Sequence, residues 1–163
     1  MLENGRPLAS AATLALLSLL IASVPATARA DAPALQEQLA VAGLSLPETR
    51  SFLTKLKHAV AKDDRKAVAA MSDYPITVAV GADAITLDSP GQFVARYADF
   101  MTQALRALIA ETTLEDLFAN AQGAMLGNGA LWFGPVCKQG GKLQNLDACA
   151  NPPVLLIRIN GVQ

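Results

Sequence analysis

The chain has 163 residues, 52% hydrophobic, 17% charged and 5% aromatic, a profile that suits one packed domain. It excludes a disordered chain, a coiled coil and a collagen-like repeat. The 13 basic and 14 acidic residues leave a formal net charge of −1, and the Lys and Arg residues are scattered, so neither nucleic acid nor an anionic membrane surface is an expected partner.

In chain order, residues 1–30 predict an export signal. Arg6 precedes the uncharged stretch Pro7–Ala28, and Ala28-Arg29-Ala30 places small side chains at −3 and −1 before Asp31, the pattern that signal peptidase cleaves. An uncleaved anchor is the alternative, but Pro7 and Pro25 shorten the usable apolar helix. No Cys lies near the site and no Arg-Arg pair precedes it, which argues against a lipoprotein and against twin-arginine export. The expected organisation is a signal peptide at 1–30, a peripheral segment at 31–45 and a single domain at 46–163. The expected destination is the periplasm, with no membrane association after cleavage.

A short helix is predicted from Ala34 to Ala42, ended by Gly43. Ser45-Leu46-Pro47-Glu48 opens the next one, in which Phe52, Leu53, Leu56, Ala59 and Val60 share a face. Asp63-Asp64 caps a further short helix carrying Ala67, Val68 and Met71 inward. Tyr74-Pro75 ends the helices, Ile76–Val80 reads as a strand, Gly81-Ala82-Asp83 as a turn, and Ala84–Leu87 as the partner strand. Ser89-Pro90-Gly91-Gln92 predicts an N-cap with a capping box. The long helix after it carries an apolar stripe of Phe93, Val94, Tyr97, Met101, Ala104, Leu105 and Leu108, opposite Arg96, Asp99, Gln103 and Arg106. From Leu117 the period becomes two through Met125, Asn128-Gly129 signals a hairpin, Leu131-Trp132-Phe133 begins the return strand, and Val154–Ile159 is the last strand. Cys137 and Cys149, the two cysteines, most simply form a disulfide in an oxidising compartment. Their spacing is not C-x-x-C and no nearby His completes a zinc site, so no metal and no cofactor are expected. Helices first and an antiparallel sheet after them give an α+β class.

The order of these segments, Tyr74-Pro75 with its hairpin, and the run from Asp116 to Gly134 (Asp-Leu-Phe-Ala-Asn-Ala-Gln-Gly-Ala-Met-Leu-Gly-Asn-Gly-Ala-Leu-Trp-Phe-Gly) resemble the nuclear transport factor 2-like superfamily, also called SnoaL-like or cystatin-like, and most of all its small exported bacterial members. The resemblance spans residues 46–160. It implies N-terminal helices packed on a curved antiparallel sheet, a cystatin-like cone with an apolar pocket at its open end, and homodimerisation through the sheet as an open alternative. The superfamily includes ketosteroid isomerase-like enzymes, dehydratases and non-catalytic binding modules, so the fold alone decides little about function.

The enzymatic members direct attention to an Asp or His base facing a carbonyl-polarising group. His58, the one histidine, falls on the far side of its helix from the apolar face, which leaves no His–Asp pair. Asp99 shares the polar helix face with Arg96. Asp116 precedes a strand and is the one weak catalytic candidate, although an acid at an element boundary usually serves a turn. Tyr97 on the buried stripe, Asn120 and Gln122 on a strand face shared with Phe118 and Ala124, and Trp132 are the candidate ligand-binding residues. Trp132 equally suits a core or interface role. Arg158 points away from the apolar face shared by its neighbours Leu155, Ile157 and Ile159. No P-loop, G-x-G-x-x-G, G-x-S-x-G or H-E-x-x-H occurs. Without a named oxyanion partner, the expected function is a periplasmic non-catalytic module binding a small apolar ligand or a protein. The alternative is a small lyase or isomerase with a lone Asp base.

Overall fold

The first described elements are helices: α1 (Ala32–Val41), α2 (Leu46–Ala61) and α3 (Arg65–Ala70). The computed structural model describes residues 32–139 and 142–162; the predicted export signal at 1–30 lies outside the described residues. Gly43, with φ of +70°, lets Leu44 N–H reach Leu39 O and Gly43 N–H reach Ala40 O, the paired bonds that close a helix C-terminus. Leu35 and Leu39 of α1 join the common core. Ser45 caps α2 through a reciprocal capping box with Glu48.

Asp63 follows α2 with φ of +50°, a conformation that Asp tolerates better than most residues. Its carboxylate accepts from Arg65 on α3 at 3.0 Å and from Arg106 at 2.8 Å. One turn residue thus clasps two helices to each other.

β1 (Ser72–Val80) contains the cis Tyr74–Pro75 bond and pairs with β2 (Asp83–Leu87). The expected long helix is two, α4 (Pro90–Phe100) and α5 (Gln103–Glu111). Thr102 causes the break: its hydroxyl accepts from Leu105 N–H and caps α5, the competition with the helical backbone typical of Thr. The change of axis leaves Ala104 exposed, off the buried stripe. At the start of α4, Ser89 caps Gln92 N–H as expected, but Gln92 reaches back to Asp88 N–H, one residue earlier than a capping box requires.

The alternating run from Leu117 is a hairpin and not one strand. β3 (Phe118–Asn120) turns at Ala121-Gln122 into β4 (Gly123–Leu126), which turns again at Asn128-Gly129 into β5 (Leu131–Pro135). Asn120 Oδ1 accepts from Gln122 N–H at 2.8 Å, which makes the first turn. Asn128 and Gly129 both have positive φ, as their hairpin requires. A small ribbon, β6 (Lys138–Gln139) with β7 (Lys142–Leu143), and a 3-10 turn at Leu146–Ala148 lie between Cys137 and Cys149, which are bonded to each other. Lys138 anchors this excursion through the Asp73 carboxylate and the Tyr74 carbonyl.

β8 (Val154–Ile159) completes a six-stranded sheet of order β2-β1-β8-β5-β4-β3. The sheet is mixed, which corrects the antiparallel expectation. β8 runs antiparallel to β5 but parallel to β1. A parallel neighbour needs a long crossover, and the whole run from β2 through α4 and α5 to β7 supplies it. Helices cover one face: Phe52 of α2 stacks on Phe133 of β5 with centroids 4.6 Å apart. Phe93, Tyr97 and Phe100 of α4 interlock at 4.9–6.0 Å. A helix-covered α+β domain is therefore observed.

Hydrogen bonds from Arg106 first and Arg65 second hold the Asp63 carboxyl below its ordinary pKa. A depressed carboxyl pKa stabilises the fold above the unfolded-state value, and that contribution disappears as pH falls through the folded-state value. Asp63→Asn, which keeps the backbone conformation accessible, is expected to melt below wild type at neutral pH. The gap should close in acid, below the ordinary carboxylate range. Melting curves across pH check this, and a gap that persists unchanged in acid contradicts it.

Candidate functional site

Residues paired across neighbouring strands project from the same face of a sheet. The register therefore defines one row across all six strands on the face away from the helices: Thr86, Thr77, Arg158, Trp132, Met125 and Phe118. Arg158 and Phe118 are exposed, Phe118 at 47%, while Trp132 and Met125 are half-buried by their neighbours.

A bulge in β8 shapes the centre of this row. Trp132 pairs with Arg158 but Phe133 pairs with Leu156, so Ile157 is the extra residue. Leu156 and Ile159 stay buried in the core, whereas Ile157 turns outward beside Arg158. Gly123 and Gly134 lie side by side beneath it: a Cβ on Gly134 would stand 3.5 Å from Gly123 Cα, and Ile157 Cδ1 lies within 4.0 Å of the Cβ position at both. Gly123 (φ +128°) admits no side chain, because its Cβ would meet Phe133 O at 2.6 Å.

Two open clefts flank Trp132. One, of about 480 Å³, is lined by Gln122, Trp132, Ile157, Arg158 and Asn160. The other, of about 300 Å³, lies over the Asn128-Gly129 turn and shares Trp132 and Asn160 with the first. Asn160 fixes the wall between them, donating from Nδ2 to Gly129 O at 2.8 Å and from its backbone N–H to Ala130 O at 2.8 Å. Neither the indole N–H of Trp132 nor the guanidinium of Arg158 has a hydrogen-bond partner among the described residues.

The predicted site residues thus separate. Gln122 and Trp132 line one cleft. Asn120 lies at the adjoining hairpin turn with its carbonyl engaged, and it does not share a face with Ala124, which is fully buried on the inner side. Tyr97 lies on the helical side of the sheet, wholly buried. The guanidinium groups of Arg65 and Arg106 lie 5.4 and 5.3 Å from its ring centroid, a cation–π arrangement. Its hydroxyl has no partner among the described residues, and burial raises its pKa against the opposing pull of Arg106. Asp116 serves a turn, accepting from the backbone N–H and the hydroxyl of Thr113 at 2.7 and 2.8 Å. His58 is exposed, and Asp99 pairs with Arg96 on the surface. Arg158 faces outward as expected, but Ile157 shares its face and not that of Ile159.

Chemically the outer face offers apolar area, amides and one cation, with no acid–base pair. Among the described residues no group of three His, Cys, Asp or Glu side chains is placed to hold a metal ion, and no helix is long and apolar enough to cross a membrane. Met125, Ile157 and Asn160 escaped the sequence reading, because a bulge and a sheet register leave no local signal.

A buried hydroxyl without a partner costs about 1–3 kcal/mol. Tyr97→Phe is therefore expected to leave the melting temperature unchanged or raise it, and a fall in calorimetry contradicts the geometry drawn for this hydroxyl.

Compared with protein-family models, with curated proteins and with solved structures, the chain matches none.

Proposed function

We propose that this chain is an exported, non-catalytic binding module of the nuclear transport factor 2-like type, working in the periplasm through the outer face of its sheet, where it holds a protein partner. The observation that carries the reading is the row Arg158–Trp132–Met125–Phe118, a partly exposed, largely apolar strip centred on the chain's one tryptophan. Tryptophan, methionine and arginine are the side chains enriched at the centres of protein interfaces, with amides suited to the rim.

The inner side supports a protein in preference to a small apolar ligand. The helical side of the sheet is packed with Phe93, Tyr97, Phe100 and Phe133, all at most 1% exposed. The lyase or isomerase alternative has less support, since its candidate base Asp116 is engaged in a turn with Thr113. Export rests on the Ala28-Arg29-Ala30 pattern and is in keeping with the Cys137–Cys149 bridge.

The test is native purification of the wild type and of Trp132→Ala from the exporting cell, with intact-mass readout. The expected result is a mature chain beginning at Asp31, carrying a protein partner in the wild type that is lost from Trp132→Ala while the fold, read by circular dichroism, persists. A stoichiometric small apolar adduct, or a partner retained by Trp132→Ala, overturns the reading.

A further inference from the structure

Resting on the outer face as the binding surface, we infer that the partner presents a carboxylate among apolar side chains, and that Arg158 receives it. Trp132 and Arg158 are direct cross-strand partners on the two middle strands of the sheet, which places their side chains about 5 Å apart at the Cβ atoms. A protein that covers one covers both. Covering Arg158 removes its water, and a guanidinium taken out of water without an anionic partner is strongly unfavourable.

Among the described residues nothing supplies that anion. Arg65, Arg96 and Arg106 each pair with an aspartate, but Arg158 makes no ion pair or hydrogen bond among the described residues. No side chain of the six-residue row, and none lining the two clefts beside Trp132, is acidic. The face therefore carries one positive charge at its centre within a chain whose net charge is −1.

A second copy of this chain fits this charge poorly. A two-fold interface sets the same patch against itself, and it would bring a second uncompensated Arg158 and still no acid. A partner segment alternating acidic and apolar residues meets both requirements. Its carboxylate takes the fork of Arg158, with the free indole N–H of Trp132 and the Gln122 amide lining the same cleft. Its apolar residues cover Ile157, Met125 and Phe118, the surround that excludes water from a central polar pair.

Trp132 is the only tryptophan, so its fluorescence reads the site directly. The probes are three ten-residue peptides alternating leucine with glutamate, with glutamine or with lysine, titrated into the mature protein at low and moderate salt. The expected result is a saturable blue shift with the glutamate peptide, at least tenfold weaker with the glutamine peptide, and weaker again as salt rises. Arg158→Gln should erase that tenfold preference at an unchanged melting temperature, and Arg158→Glu should transfer it to the lysine peptide. Equal binding of the glutamate and glutamine peptides, no response to the glutamate peptide, or an undiminished preference in Arg158→Gln overturns the inference. So does a blue shift on concentrating the protein alone with matching dimer formation in sedimentation. If Trp132→Ala still releases a natural partner while the glutamate preference fails, the binding face stands and its acidic partner falls.

Discussion

The last strand holds the sheet together. β1 with β2 and β3 with β4 and β5 are two separate ribbons, and β8 alone joins them, hydrogen-bonded to β1 on one side and β5 on the other. Closing that slot brings together residues more than 70 positions apart in sequence, such as Val78 and Ile159, so the central pairing is non-local. β8 must also serve both faces. Leu156 and Ile159 complete the core, while the bulge between them sends Ile157 and Arg158 outward. The Cys137–Cys149 bridge and the Lys138–Asp73 contact sit just before this strand and tether the excursion from which it enters the sheet.

The two faces of the sheet follow different rules as a result. On the helical side, aromatic rings fill the interior: Phe52 on Phe133, and Phe93 against Tyr74, Tyr97 and Phe100. Arg65 and Arg106 lie over Tyr97 and share the Asp63 carboxylate, so both cations near the core have an anionic partner within the chain. On the outer side apolar side chains stay partly in water, and Arg158 has no ion-pair partner among the described residues. Dry aromatic packing behind the sheet, and an Arg158 in front of it with no partner among the described residues, are the observations behind the proposal that recognition takes place at the surface.

Much of this was legible locally. The Schellman-type end at Gly43, the caps at Ser45, Asp64 and Ser89, the Asn128-Gly129 turn, the outward His58 and the cysteine pair all depend on residues within a few positions of each other or on composition. The misreadings arose where competing interactions decided the outcome. Thr102 offered a cap stronger than the apolar period that ran through it, and splitting the helix moved Ala104 to the surface. Asn120 and Gly123 made a turn inside an alternation that looked continuous. The parallel pairing of β8 with β1 and the bulge at Ile157 depend on which strands become neighbours, which no local pattern encodes. Of the candidate residues, Gln122 and Trp132 came together, while Tyr97 and Asp116 were absorbed by packing and by a turn.

The partner, as proposed, meets the outer face around Trp132 and not the helical side or an interior pocket. Site-specific photocrosslinking in the exporting cell tests it most directly, with the photoreactive residue at Gln122 on the outer face or at His58 on the helical side. A discrete crosslinked protein is expected from position 122 and none from position 58. Crosslinks from position 58 alone, or equal yields from both, would contradict it.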